Sequence, residues 1–177
     1  MSHIPPAYAW LSRLSPLPRM VEAGLALLDV REASGPQNAP EILRWAEAAG
    51  LATAYRADSI PWCGLFMAHL ARLSGKTPPP SPLWALSWAR FGVEGGQPEL
   101  GDVVVFQRPG GGHVGLYIGE DSRCYHVLGG NQGDRVSITR IARERLYAVR
   151  QPTYVNKPRS AATYLLATTG EVSSNEA

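Results

Sequence analysis

The chain contains 177 residues, of which 45% are hydrophobic and 18% are charged, and its formal net charge is +2. This length suits one globular domain, and the weak charge with scattered basic residues argues against a nucleic-acid-binding protein. No stretch approaches the roughly 20 apolar residues that span a bilayer, so we expect no membrane-spanning segment.

The first half of the chain carries helical patterns. Residues 1–17 are rich in proline and predict an irregular lead. Apolar residues at helical spacing then predict helices over 19–29, about 40–49 and about 61–75. After a proline-rich loop, a shorter helix is predicted around 83–91.

The second half changes to β-type runs. Five strands are predicted, at 103–107, 113–118, 123–128, 135–139 and 146–150, with a tight turn at 119–122. Helices followed by antiparallel strands predict an α+β domain, in which N-terminal helices pack on a five- or six-stranded antiparallel sheet. We place this domain at residues 18–152 and expect residues 153–177 to form an extended or disordered tail.

Cys63 and His113 are the residues that point to chemistry. Cys63 lies where a loop turns into the third predicted helix, and the positive end of a helix dipole favours a thiolate. His113 begins a predicted strand fifty residues later. Either residue alone is more often a buried or capping side chain. Together, a thiol at a helix start and an imidazole at a strand start predict a nucleophile and its base.

A histidine base needs a third group that fixes its ring and tautomer. Antiparallel pairing across the predicted hairpin places residues 129–131 opposite His113. Asn131 is therefore the first choice for the orienting role. Gln132 and His126 remain alternatives, because a slip of one residue in register changes which side chains meet.

Several other residues have simpler interpretations. Cys124 alternates within a strand and predicts a core side chain, so we expect no disulfide with Cys63. Asp102 is expected to accept hydrogen bonds in a turn. No spacing of Cys, His or Asp suggests a metal site, and we expect neither a metal ion nor a cofactor. Three tryptophans could line a cleft or form core: Trp62, Trp84 and Trp88.

Three motifs in order resemble the NlpC-like and CHAP cell-wall hydrolases, which are papain-like amidases and peptidases. The motifs are Pro61-Trp62-Cys63-Gly64-Leu65-Phe66, Gly101-Asp102-Val103-Val104-Val105-Phe106 and His113-Val114-Gly115-Leu116-Tyr117-Ile118-Gly119. A fourth run, Val127-Leu128-Gly129-Gly130-Asn131-Gln132, is similar to a phage- and prophage-associated, endolysin-like branch. The resemblance covers about residues 18–152 and implies a papain-like fold.

The same resemblance implies the roles of the site residues. Cys63 takes the place of the nucleophile and His113 that of the base. NlpC-like members often carry a histidine near the position of His126, whereas CHAP-like members use Glu or Asn near Asn131. The backbone N–H of Cys63 is expected in the oxyanion hole, and Tyr55 is a guess for the second donor.

The activity implied is cysteine-dependent hydrolysis of amide bonds in bacterial peptidoglycan, through a thioacyl intermediate on Cys63. The bond is that of an N-acetylmuramoyl-L-alanine amidase or of an endopeptidase. The expected partner is the peptidoglycan stem peptide, bound by a monomer.

The start of the chain lacks the pattern of a secretory signal peptide. We therefore expect synthesis in the cytoplasm and delivery to the cell wall or periplasm by a holin, a phage-like particle or a secretion apparatus. The alternatives are an interbacterial toxin of the same chemistry and a non-catalytic cell-wall-binding module. A transglutaminase or deamidating enzyme is a more distant one, since a Cys–His pair also serves acyl transfer.

Overall fold

The computed structural model describes residues 4–168 and 170–174; predictions for residues 1–3 and 175–177 lie outside the described residues. The helical elements come first along the chain. They are the 3-10 helix η1 (Pro6–Arg13), the α-helices α1 (Arg19–Ala26), α2 (Pro40–Ala48) and α3 (Cys63–Leu73), and the 3-10 helix η2 (Ala85–Arg90). α3 is the central helix, because it contacts α1 and α2 on one side and the sheet on the other.

The second half forms a six-stranded sheet in which every neighbouring pair is antiparallel. The strands are β1 (Val93–Glu94), β2 (Val103–Arg108), β3 (Gly111–Glu120), β4 (Cys124–Gly129), β5 (Ser137–Ala142) and β6 (Leu146–Gln151), with the short 3-10 helix η3 (Arg143–Arg145) before β6. Their order across the sheet is β1-β6-β2-β3-β4-β5. The predicted α+β class and the antiparallel sheet are thus confirmed.

The core lies between the helices and one face of the sheet. Alternation along β2 shows why: Val103 and Val105 join the helices in the larger cluster, whereas Val104 and Phe106 join a smaller cluster that also contains Tyr117. Burial on both faces explains the continuous apolar run at 103–106, which does not alternate with polar residues.

Element boundaries differ from the predictions where local backbone geometry decides them. Residues 6–13, expected to be irregular, form η1. α3 begins at Cys63 instead of about residue 61, because Trp62 has a non-helical backbone. β3 continues to Glu120, so the turn moves to residues after it, where the Asp121 carboxylate accepts the N–H groups of Arg123 and Cys124. β1 was not predicted, since two residues give no pattern.

Within the described residues, no helix combines the length and apolar character needed to cross a membrane.

Candidate active site

Cys63 is the first residue of α3. The N–H groups of Cys63 and Gly64, at the start of the helix, lie near the Cys63 sulfur and lower the pKa of its thiol, and so does the N–H of Val114 on β3. Val114 directly follows His113 in the chain. The packing of α3 on β3 therefore brings two residues that are fifty positions apart in sequence into neighbouring places.

Burial dominates the electrostatics of Cys63. The residue is 3% exposed, and burial raises the pKa of its thiol above the ordinary value. The backbone N–H groups of Val114 and Gly64 and the guanidinium of Arg108 act in the opposite direction without reversing it. The N–H groups at the helix start thus lower the thiol pKa, as the sequence predicted, but they do not determine the direction of the net shift. Desolvation of the thiolate outweighs the favourable dipoles, and the resting side chain is a thiol at neutral pH.

His113 is fully buried, and Gln132 holds its ring. The Nε2 atom of His113 lies 3.0 Å from the Oε1 atom of Gln132. The side-chain amide nitrogen of Gln132 donates to the carbonyl oxygen of Ser137 at 2.6 Å and to that of Val127 at 3.2 Å. Carbonyl oxygens only accept, so the amide nitrogen of Gln132 must face them and its oxygen must face the imidazole.

This amide orientation determines the tautomer of His113. Because Gln132 Oε1 can only accept, the ring must carry its proton on Nε2 and donate it to that oxygen. A neutral imidazole protonated on Nε2 has its basic lone pair on Nδ1. The ring can therefore act as a base through Nδ1. Fixing the tautomer of the base in this way is the role of the third residue in a nucleophile–base–orienter triad.

Asn131, the first choice for the orienting residue, is not the amide on Nε2. It is buried beside Gln132 in the turn after β4, with a positive φ of 58°. The ladder between β3 and β4 has the predicted register at the pair Leu116–Leu128, but it ends there, three residues short of His113. The amide on Nε2 is that of Gln132, which the sequence had left as an alternative, and its orienting role stays a prediction.

His126 belongs to a different cluster. Its Nδ1 atom lies 2.7 Å from the Tyr8 hydroxyl oxygen, and its Nε2 atom lies 2.9 Å from the Asp121 carboxylate. In the ladder it pairs with Gly119, six residues beyond His113 along β3. Both ring nitrogens are engaged there, so His126 does not orient His113.

A segment over residues 82–86, which we name the cover, packs against both parts of the Cys63–His113 pair. A Cβ atom on Gly64 would meet two backbone oxygens of the cover, that of Leu83 at 2.7 Å. A Cβ atom on Gly112 would meet the Cδ2 atom of Leu86, also at 2.7 Å. Each of these glycines is next in sequence to one member of the pair, so the cover lies directly on the backbone that carries them.

The three tryptophans left open by the sequence divide between core and surface. Trp62 and Trp88 are fully buried, and both belong to the main core cluster. Trp84, in the middle of the cover, is 74% exposed. Of the three, Trp84 alone is exposed, and it lies in the segment that packs over Cys63 and His113.

Two further polar residues lie near the pair. Tyr55, the guess for an oxyanion donor, instead donates its hydroxyl proton to the carbonyl of Ile60 in the loop before α3, with an O···O distance of 3.2 Å. Arg108, at the end of β2, was missed by the sequence reading. Its charge acts on Cys63, and its buried Nε has no hydrogen-bond partner in the described chain. The available signal was its place at the β2–β3 turn, close before the histidine.

Two cavities are lined by described residues other than Cys63 and His113. One lies at the C-terminal end of α3 and the other beside β5. Over residues 4–168 and 170–174, no group of three or more His, Cys, Asp and Glu side chains is arranged to hold a metal ion.

No protein-family model matches this chain, and no curated protein sequence is significantly similar to it. Its function therefore has to be inferred from the chemistry of the residues described above.

Proposed function

We propose that the protein is a cysteine-dependent hydrolase of amide bonds in bacterial peptidoglycan. The observation that carries the proposal is the buried Cys63–His113–Gln132 arrangement, in which the amide orientation places the basic lone pair of His113 on Nδ1. A thiol at a helix start and an imidazole on the adjoining antiparallel sheet are also what a papain-like fold of the NlpC or CHAP type supplies. The four sequence motifs resemble those families, and this resemblance is the reason for proposing peptidoglycan as the substrate.

The proposed reaction starts from the neutral thiol. The Cys63 sulfur attacks the amide carbon while its proton passes to Nδ1 of His113, because a separated thiolate is costly in this buried site. The C–N bond then breaks as the leaving amine takes that proton. Water attacks the thioacyl carbon, gives its proton to Nδ1, and the C–S bond breaks as the sulfur regains a proton.

The groups around the sulfur serve the same reaction. The N–H of Cys63 is at a helix start, where backbone donors are not used by the helix itself, so it suits the oxyanion of the tetrahedral intermediate. Arg108 adds a positive charge close to where negative charge develops. The carboxylates of a stem peptide give that guanidinium a partner that the described chain does not provide for its Nε.

Digestion of purified peptidoglycan sacculi tests the proposal. Wild type and Cys63→Ala are incubated with sacculi, and released fragments are identified by mass spectrometry. We expect fragments from wild type and a loss of several orders of magnitude in rate with Cys63→Ala, as for other nucleophile deletions. The fragment masses would distinguish an amidase from an endopeptidase.

Cys124→Ala is the matched control, because it makes the same substitution at the other buried free cysteine. It should keep the activity of the wild type if it remains folded. Turnover by Cys63→Ala at the rate of Cys124→Ala would overturn the mechanism.

The closed site gives weight to one alternative, a non-catalytic cell-wall-binding module. Cys63 is 3% exposed and its thiol pKa is raised, as expected for a cysteine that packs without reacting. A binding module would sediment with sacculi and release no fragments, and Cys63→Ala would sediment equally well.

A further inference from the structure

A large cavity lies at the end of α3 opposite to Cys63. Its volume is about 1040 Å³, at the upper end for small-molecule sites. α3 has 11 residues and rises about 1.5 Å per residue, so about 16 Å separates the two ends. The cavity is therefore separate from the Cys63–His113 pair.

The charged residues that line this cavity are mostly cationic. They come from the start of α1, the residues after α3 and the segment after β6: Arg19, Lys76, Lys157 and Arg159, against Glu22 as the carboxylate of the lining. Lys157 forms an ion pair with Glu99, which offsets its charge. Arg19 and Lys76 form no ion pair with any residue that the structure describes, so no carboxylate neutralises them at contact distance.

Lys76 is held in place against another cation. Its ammonium group donates to the carbonyl of Thr153 at 2.5 Å and lies 5.1 Å from the centre of the Tyr154 ring. Partial burial lowers the pKa of Lys76, and the positive charge of Arg19 lowers it further. Two cations close enough to affect each other's charge, one of them held in place, are stabilised by an anion near both.

Neutral donors complete the lining. Ser74 caps the C-terminal end of α3, is 7% exposed, and its Oγ finds no hydrogen-bond partner in the described part of the chain. A buried hydroxyl without a partner costs free energy unless a ligand supplies one. α1 begins at this cavity, and no side chain caps its N-terminus, so its first N–H groups add donors and a positive dipole end.

We propose that this cavity binds a phosphate group, with Arg19 and Lys76 as charged anchors and the Ser74 hydroxyl as a donor. Hydrogen-bond donors surround the cavity at the start of α1, at the end of α3 and in the C-terminal segment. Donors in several directions suit a tetrahedral oxyanion better than the two oxygens of a carboxylate. The volume is larger than a single phosphate needs, so it suits a phosphate carried on a longer chain. This site is independent of the reaction proposed at Cys63.

Calorimetric titration of the full chain tests the site. The probes are inorganic phosphate and a short glycerol-phosphate oligomer, at pH 7 and constant ionic strength set with chloride. We expect saturable binding of phosphate and tighter binding of the oligomer. If inorganic phosphate binds as tightly as the oligomer, the ligand is the free ion rather than the chain-linked group, and the site itself stands.

Arg19→Gln combined with Lys76→Gln should weaken binding at least about tenfold, as expected for the loss of charge-assisted hydrogen bonds. The matched control is Arg44→Gln combined with Arg72→Gln, which removes the same net charge from exposed helical positions outside the cavity. It should bind as wild type does. Ser74→Ala keeps all charges and should weaken binding by a smaller factor.

Two results would overturn the proposal. One is phosphate binding that does not saturate in wild type. The other is an equal loss of affinity in both double variants, which would mean that only the overall charge of the protein matters. Thermal melts without ligand show that each variant is folded, and digestion of sacculi by the variants reports on Cys63 separately.

Discussion

At the scale of single residues, the side-chain amide of Gln132 decides how the site can react. Its nitrogen is bound to the carbonyls of Ser137 and Val127, so its oxygen faces His113 and places the basic lone pair on Nδ1. The same amide group connects β4 with β5 through these two carbonyls and also orients the imidazole. In the proposed reaction Gln132 is therefore a positioning residue, which acts on substrate only through His113.

Replacing Gln132 should reduce the rate more than substrate binding. We expect Gln132→Ala to lower kcat about 10- to 100-fold, as for other residues that orient a reactive side chain, with a smaller change in KM. Gln132→Glu keeps an acceptor for Nε2 and should retain more activity than Gln132→Ala, with an altered pH dependence of kcat. The measurement is a pH–rate profile on soluble peptidoglycan fragments.

Asn131→Gly is the control for this comparison. Glycine tolerates the positive φ of residue 131, so the substitution removes the neighbouring amide with little backbone strain. It should keep kcat within a few-fold of wild type. A loss with Asn131→Gly as large as that with Gln132→Ala would return the orienting role to Asn131.

At the scale of elements, the start of α3, the start of β3 and the cover form one packed unit. Gly64 and Gly112 let the cover approach the backbone on both sides of the pair, and Leu86 fills the space over Gly112. In the proposed reaction, the substrate must reach a thiol that this unit encloses. Displacement of the cover is therefore the movement that we expect to accompany binding, with Trp84 as its exposed contact.

Gly64→Ala should disrupt this unit. The added Cβ atom would meet backbone oxygens of Pro82 and Leu83, which cannot rotate away as a flexible side chain can. We expect a loss of about 1–3 kcal/mol in the free energy of unfolding, as for overpacking elsewhere, together with reduced activity. Chemical denaturation followed by circular dichroism measures the first effect.

Gly96→Ala is its matched control. No atom lies within 4 Å of the position of its Cβ, so the free energy of unfolding should stay within about 0.5 kcal/mol of wild type. Equal stability of the two alanine variants would show that the cover does not pack on Gly64 as described.

At the scale of the whole molecule, a buried polar cluster joins parts of the chain that are far apart in sequence. Asp121, after β3, accepts from Arg140 of β5 at 2.8 Å and contacts His126 of β4 at 2.9 Å. His126 in turn contacts Tyr8 of η1, and Arg140 donates to the carbonyl of Gly170 near the C-terminus. The cluster therefore ties both ends of the described chain to the sheet.

This cluster makes the free energy of unfolding depend on pH. Arg140 holds the pKa of Asp121 well below its usual range, so Asp121 stabilises the fold above about pH 4 and loses this contribution as the pH falls further. Burial lowers the pKa of His126, so the folded ring resists protonation that the unfolded ring accepts below about pH 6.5. Both effects reduce stability on acidification from neutral pH.

Asp121→Asn should lower the free energy of unfolding by about 3–5 kcal/mol at pH 7, because it leaves the Arg140 charge buried without its partner. The difference from wild type should shrink as the pH falls below about 4. Urea denaturation at pH 7, 5 and 3 measures both values.

Asp29→Asn is the matched surface substitution. The Asp29 side chain is 60% exposed in its ion pair with Arg31, whereas that of Asp121 is 1% exposed beside Arg140. Asn also tolerates the positive φ of residue 29. We expect a change of about 1 kcal/mol or less at every pH. A similar acid profile for the two variants would mean that burial of the Asp121 pair does not matter.

The α+β class and the antiparallel sheet could be predicted from the sequence, because each depends on local information, and the catalytic roles of Cys63 and His113 stay a prediction. Helical periodicity, the β-type runs after residue 100 and the order of a thiol before an imidazole can all be read along the chain. The helix start at Cys63 was predicted to within two residues, since capping is also local.

Only the tertiary structure decided which groups surround that pair. Three features depend on side chains that meet across the sheet. They are the register past the end of a ladder, the contact of Gln132 rather than Asn131 with His113 Nε2, and the place of His126 in another cluster. The upward shift of the Cys63 pKa depends on desolvation by every element packed around it, which outweighs the helix end that the sequence showed. The chemistry of the residues was local information, whereas their electrostatic environment was a property of the folded chain.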